Sequence, residues 1–302
     1  MAADIAVART PEQAPPTFLA ETWRGLTENR GAVFGLVTII LVGLAAIFAD
    51  FIAPHSYSEQ LFRDHTLAPP VWVDGGSWSY PLGVDQAGRD MLSRLIHGAR
   101  ISLTIGVAVM VVSVAMGVVL GLLAAFRGGV VDNLLMRLMD LIMSVPDLVL
   151  SVVVVAIIGP NLINTIWAVL IVFLPRYVRL VRASALAELP KDYVTAAKVA
   201  GVGPIRLMFL TVLPNCMAPL IVQATLGISD AMLQAAALGF LGLGAQPPVP
   251  EWGSMLGEAR SLLQRAPWVV TLPGLCILVT VVAINLFGDG LRDALDPKLK
   301  RG

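Results

Sequence analysis

Charge is what this chain has least of. Asp, Glu, Lys and Arg make up 14% of its 302 residues, whereas 57% are hydrophobic and the mean hydropathy is +0.79. A soluble domain carries about 25% charged residues, so most of this chain has no surface chemistry for water. Cysteine is equally sparse. Cys216 and Cys276 both lie in apolar stretches, as small packed hydrophobes do, and a disulfide is not expected. The three histidines, His55, His65 and His97, fit no metal-ligand spacing and have no cysteine beside them. Neither H-E-x-x-H nor G-x-S-x-G occurs, and no nucleophile–base or metal constellation is visible. None of the four lysines (Lys191, Lys198, Lys298, Lys300) follows a Gly-rich turn, so the chain has no phosphate-binding loop of its own.

What it has instead is long charge-free runs: Gly31–Ala49 (19 residues), Ile101–Phe126 (26), Leu148–Pro175 (28), Leu207–Ser229 (23) and Ala266–Gly288 (23). Each approaches or exceeds the ~20 residues that span a bilayer. Six spans are expected, at about 31–52, 101–126, 134–158, 162–181, 214–243 and 267–289. Gly159-Pro160-Asn161 breaks the third from the fourth. Pro214 and Pro219 predict an irregular start to the fifth. The first thirty residues contain Asp4, Glu12, Glu21 and Glu28 and no apolar core, so no signal peptide is expected there. With the N-terminus placed inside, the inner segments hold 15 of the 21 Lys and Arg residues, which predicts both termini in the cytoplasm. The segments 55–100 and 244–265 then lie outside. Their Trp, Pro and Gly clusters (Ala68-Pro69-Pro70-Val71-Trp72; Gln246-Pro247-Pro248-Val249-Pro250-Glu251-Trp252) predict folded caps.

The division that follows is a cytoplasmic tail over 1–30, a first span with its extracytoplasmic segment over 31–100, a five-span core over 101–290 and a second tail over 291–302. Within the core, the loop 183–212 lies in the most basic stretch, which runs from Arg176 to Arg206. Pro190 precedes an expected N-cap at Asp192. Gly201 stands where a helix end requires positive φ, and Gly203-Pro204 opens a second short helix. Ala196, Ala197, Ala200 and Gly201 leave room for a partner to approach the first helix closely. Spacing and composition alone also fit an ordinary helical hairpin joining two spans.

The pattern from Thr195 to Pro214 resembles the EAA motif of ATP-binding-cassette (ABC) importer permeases. Ala196-Ala197, Gly201, Leu213 and Pro214 stand at matching places, while Thr195 replaces the usual acid and Thr211 the usual branched apolar residue. Leu82–Asp90 with Ser93-Arg94 and Gly98-Ala99-Arg100 is similar to the lead-in of the dipeptide/oligopeptide/nickel permeases. So are Ala237–Gly244, Glu251-Trp252-Gly253 and Gly288–Pro297. Alone, these pieces also read as an interfacial stretch and a helix-ending turn. The resemblance, to C-type subunits of that family, implies an all-α integral membrane protein of type I importer permease fold. It implies ATPase coupling through Asp192, Thr195, Ala196, Ala197, Gly201, Leu213 and Pro214. Partners would be a homologous B-type permease, two cytoplasmic ABC ATPases and an extracytoplasmic peptide-binding protein. ATP and Mg would be bound by the ATPases and no cofactor by this chain, with membrane lipid around it and no nucleic acid. The location would be a bacterial inner membrane. Cargo would be dipeptides or short peptides, with oligopeptides, nickel chelates and haem-like compounds as alternatives within the family, and an ATP-independent secondary transporter as the alternative outside it.

Polar residues inside the spans are the remaining signal, because each charge there is costly. Asp230 with Gln234, and Asn285 with Asp289, are spaced one helical turn apart. Asp230, Gln234 and Asn285 are candidates for the transport path or for pairing between helices, with pairing favoured for Asp230; Asp289 is expected to cap or to pair with Arg292. Gly117 and Gly121 form a G-x-x-x-G face suited to close helix packing.

Overall fold

The structure, a computed structural model, describes residues 18–295. Arg9, Lys298, Lys300, Arg301 and the Asp296-Pro297 part of the C-terminal motif lie outside the described residues. Helix α1 (Phe18–Glu28) leads into α2 (Arg30–Ile47), which Asn29 caps by accepting from the Ala32 N–H at 3.1 Å. A break at Phe48 separates α2 from the single turn α3 (Ala49–Ile52). A long non-helical excursion follows, apart from one 3₁₀ turn at Arg63–His65, before α4 (Met91–Arg127). Then come α5 (Gly129–Met143), α6 (Asp147–Ile158), α7 (Leu162–Glu188), α8 (Asp192–Val199) and α9 (Pro204–Arg206). A π turn (Leu207–Val212) and a 3₁₀ turn (Leu213–Cys216) run straight on into α10 (Met217–Phe240); α11 (Trp252–Ala259) and α12 (Pro267–Leu295) complete the chain.

Among the described residues the fold is all-helical, and four helical stretches are long and apolar enough to cross a membrane: α2, α4, Pro204–Phe240 and α12. The third expected span is corrected. It is not one helix over 134–158 but two, α5 and α6, meeting at 91°. The cause is Pro146, which has no N–H for a helical bond and forces Val145 out of helical geometry. The second span begins ten residues earlier than expected, so the division at residue 100 falls inside α4. Asp90 starts that helix by accepting from the Ser93 N–H at 2.8 Å. Nor is the helix at Gly203-Pro204 a separate short one. It is the first turn of the fifth span, whose irregular start at Pro214 is present as expected.

The core is the seam between α4 and α7, the most extensive helix pairing in the molecule. Gly117 lies against Tyr177, and a side chain at Gly121 would come within 2.7 Å of the Val178 carbonyl. Two helices this close require small residues, and the expected glycine face supplies them. Helix α10 packs on α4 and α12, and α12 packs on α2. Leu41, Ile157 and Val130 point outward with most of their surface bare, as side chains facing acyl chains do.

Candidate functional site

Beyond α7 hangs α8, and its attachment is specific. Glu188, the last residue of α7, accepts from Lys191 Nζ and from the Tyr193 hydroxyl, both at 2.7 Å. Burial disfavours the Glu188 carboxylate, but the hydrogen bonds from Lys191 and Tyr193 outweigh it and its pKa is lowered. The Tyr193 hydroxyl is pushed up to about 12 by burial and by its bond to Glu188. Val194 is fully buried and anchors the inner face. Around it, Thr195, Ala196, Lys198, Val199 and Ala200 are exposed, and Ala197 is half-buried.

Asp192 is corrected as a cap. Lys191 occupies the N-cap position without a side-chain bond, and Asp192 is the first helical residue, where its charge complements the helix dipole. Gly201 has φ +77°, as expected. It donates to the Lys198 carbonyl at 3.0 Å, and Val202 donates to the Ala197 carbonyl at 3.1 Å, which closes the helix with the left-handed turn that glycine favours. Nothing else lies within 4 Å of the place a Gly201 side chain would take. Leu213 packs on the core and Pro214 is exposed, both at the junction that leads into α10. The expected residues therefore form two groups, an open helix face (Asp192, Thr195, Ala196, Ala197, Gly201) and the hinge-like entry to the fifth span (Leu213, Pro214).

A second constellation escaped the sequence reading. Three arginines spaced three apart on α7 meet three aspartates of the broken span. Arg182 Nη2 lies 2.6 Å from Asp132, Arg179 pairs with Asp140, and Arg176 Nη2 lies 2.6 Å from Asp147. Counting these arginines as free inner charges missed the ladder. Its signal was available in Asp140 and Asp147, acids within an otherwise apolar stretch. Arg176 also reaches Asp230 at 3.4 Å and lies over the Phe173 ring at 5.0 Å.

The other intramembrane candidates bond across helices and not along them. Gln234 donates to the Ser151 hydroxyl at 3.1 Å, and the Ser229 hydroxyl donates to Asn285 Oδ1 at 2.6 Å. Asp289 is exposed, and no Asp289–Arg292 ion pair forms among the described residues. Asp230, Gln234 and Asn285 are thus not one site: the first two, on α10, face α7 and α6, while the third, on α12, faces Ser229 of α10.

At the opposite end from α8, the two loop segments interlock as folded caps. Arg89 bridges Asp85 at 2.6 Å and Glu258 at 2.8 Å, and the buried Arg94 sits 3.4 and 3.5 Å from the same two carboxylates. Glu251 caps α11 by accepting from the Gly253 and Ser254 N–H groups at 2.7 Å; its deep burial still pushes the carboxyl pKa up. Trp252 Nε1 donates to the Leu95 carbonyl at 3.0 Å.

This arrangement, a helical membrane bundle with a short helix of open face at one end and a locked cap at the other, suits a transport subunit. Residues 117–301 match the family described as binding-protein-dependent transport system inner membrane component, and residues 17–70 match the N-terminal TM domain of oligopeptide transport permease C. The chain belongs to this family of inner-membrane components.

Its relatives narrow the kinship further. It is 58% identical over 295 residues to the di/tripeptide transport system permease protein DppC of Pseudomonas aeruginosa, covering 98% of this chain and 97% of that one. It is 57% identical over 287 residues to the dipeptide transport system permease protein DppC of Escherichia coli K12, covering 95% of each. The corresponding dipeptide permease of Alkalihalophilus pseudofirmus is 42% identical over 280 residues, covering 93% of this chain and 90% of that one. Among solved structures, inward-facing MetNI, a methionine ABC transporter, aligns with a TM-score of 0.51 at 21% identity, over 68% of this chain and 98% of that one, a likeness of fold. The chain is a multi-pass permease subunit of an ABC importer, and such a subunit works with ATPase and binding-protein partners.

Proposed function

We propose that this chain forms half of an importer for dipeptides and tripeptides, paired with a homologous B-type permease. Each permease takes one cytoplasmic ATPase, which binds the ATP and Mg; this chain binds no cofactor and performs no catalysis itself. An extracytoplasmic binding protein delivers peptide to the capped end. Both termini and α8 lie in the cytoplasm, and α7 completes six crossings alongside the broken pair α5–α6. The observation that carries the reading is the asymmetry of α8: one face fastened to α7 by Glu188 and Val194, the other bare and small. The peptide cargo is supported by the relatives, which are named for dipeptide and tripeptide transport.

The mechanism follows from the connections. Closure of the ATPase pair moves α8. Glu188 passes the displacement to α7, and the arginine ladder passes it to α5 and α6, tilting the bundle between inward-open and outward-open states. Nucleotide biases that equilibrium only by binding one state better. Ala196→Arg fills the bare face without strain in this chain, and Gly201→Leu adds the cost of positive φ, about 1–2 kcal/mol. In the reconstituted complex, both should cut dipeptide uptake by about tenfold or more, the scale of one lost interface anchor, while the two permeases still co-purify. Near-normal uptake by Ala196→Arg would contradict the docking role.

A further inference from the structure

The ladder's last rung differs from the other two. Arg176 is shared by two carboxylates, Asp147 on α6 and Asp230 on α10, so three helices converge there with a surplus negative charge. The bond to Asp147 is tight at 2.6 Å and that to Asp230 is loose at 3.4 Å, which leaves Asp230 with acceptor capacity to spare. All three side chains are open in the single chain, with 43%, 37% and 49% of the surface bare for Asp147, Arg176 and Asp230.

Their depth can be read from the helices. The ends of α6 and α7 are joined by three residues, and Thr165 near the start of α7 donates to the Leu243 carbonyl at 3.2 Å, so the three helix ends are level. At 1.5 Å per residue, Asp230 lies about 15 Å, Asp147 about 16 Å and Arg176 about 21 Å along its helix from those ends, within the thickness of a hydrocarbon layer of about 30 Å. Open charges at that depth do not face acyl chains, where no solvent or partner would meet them. On the paired-permease reading above, they face the other half of the pore.

We propose that Asp147, Arg176 and Asp230 form a station in the translocation path that receives the protonated amino terminus of the peptide, with Asp230 as the contact. The proposal rests on the peptide-importer reading above and specifies where cargo is held. One turn toward the capped end, the Gln234 carboxamide and Ser151 hydroxyl form a neutral rung between the same two helices. A peptide entering from that end meets the half-buried Gln234 carboxamide first and the carboxylate next, with Ser151 buried behind the amide. Because every peptide has an amino terminus, such a station accepts cargo without reading side chains. Arg176, held on Phe173 and Asp147, keeps the site at one surplus charge instead of two, so the ammonium is attracted but still released.

The test uses the whole complex in proteoliposomes with its binding protein. Asp230→Asn should reduce uptake of a dipeptide by about tenfold or more, as loss of a charge-assisted contact does, with both permeases still co-purifying, and Asp230→Glu should restore a substantial part. With Cys216 and Cys276 replaced by Ser, Asp230→Cys should react with a water-soluble cationic thiol reagent, and dipeptide should slow that reaction. Uptake by Asp230→Asn equal to wild type, or a cysteine at 230 unreactive throughout the transport cycle, overturns the station. Loss of the partner permease on Asp230→Asn also overturns it, because the carboxylate then serves a cation across the subunit interface. A wild-type complex that moves no peptide overturns the importer reading and the station with it.

Discussion

Glu188 is the residue that fastens α8 to the bundle. Replacing it with Gln removes the charge that holds Lys191 and Tyr193. Amide exchange over Val194–Val199 should then rise by about tenfold, the scale of a charge-assisted hydrogen bond. The same tether responds to acid in a defined direction. Because the folded carboxyl has a lowered pKa, its stabilisation is complete above the ordinary value of 4.5 and is lost as pH falls through the lowered value. Protection over α8, corrected for the intrinsic pH dependence of exchange, should therefore fall on acidification in wild type and stay flat in Glu188→Gln; a parallel fall in both would contradict this. Residues of this kind differed in how far the sequence disclosed them. Gly201 was legible because a helix end imposes a local backbone requirement. Asp192 was misassigned by one position because the turn is held from outside by Glu188, a contact no local pattern encodes.

Among the elements, the broken span is the instructive case. Periodicity and length joined 134–158 into one crossing, since the apolar character continues across the break. The presence of Pro146 was sufficient reason to divide it, with Asp140 and Asp147 on either side as further warning. Which arginines those acids meet was not readable, because the pairing joins positions 29 to 50 residues apart. The ladder predicts coupling between helices. A double-mutant cycle on Asp132 and Arg182 should give an interaction energy of about 1–2 kcal/mol in thermal unfolding in detergent, and exchanging the two residues should recover part of the single-mutant loss. Additive single losses would place these helices under apolar packing alone. The α4–α7 seam was better disclosed by Gly117 and Gly121. Gly121→Leu drives a side chain into the α7 backbone, and overpacking of this kind costs about 1–3 kcal/mol or more; a lower midpoint and reduced yield of the assembled permease pair should follow.

Across the whole molecule, two ends with opposite characters are joined by one helical bundle. The capped end is locked by buried ions, and breaking one should be severe. Arg94→Met leaves Asp85 and Glu258 short of a cation, a loss of about 3–5 kcal/mol for a buried pair, read as poor accumulation of folded protein in the membrane. The composition disclosed a membrane bundle, and the Trp- and Pro-rich clusters disclosed folded caps, but not that Arg89 and Arg94 tie segments more than 160 residues apart. The α8 end is open by contrast, and the account depends on what closes over it. The most direct measurement is cross-linking from a cysteine placed at Ala196, with Cys216 and Cys276 replaced by Ser, in the complete importer. The account predicts a nucleotide-sensitive cross-link to the ATPase subunit and uptake that fails once the link is formed. A cysteine at 196 that stays free, or links only to other permease chains while uptake continues, would contradict it.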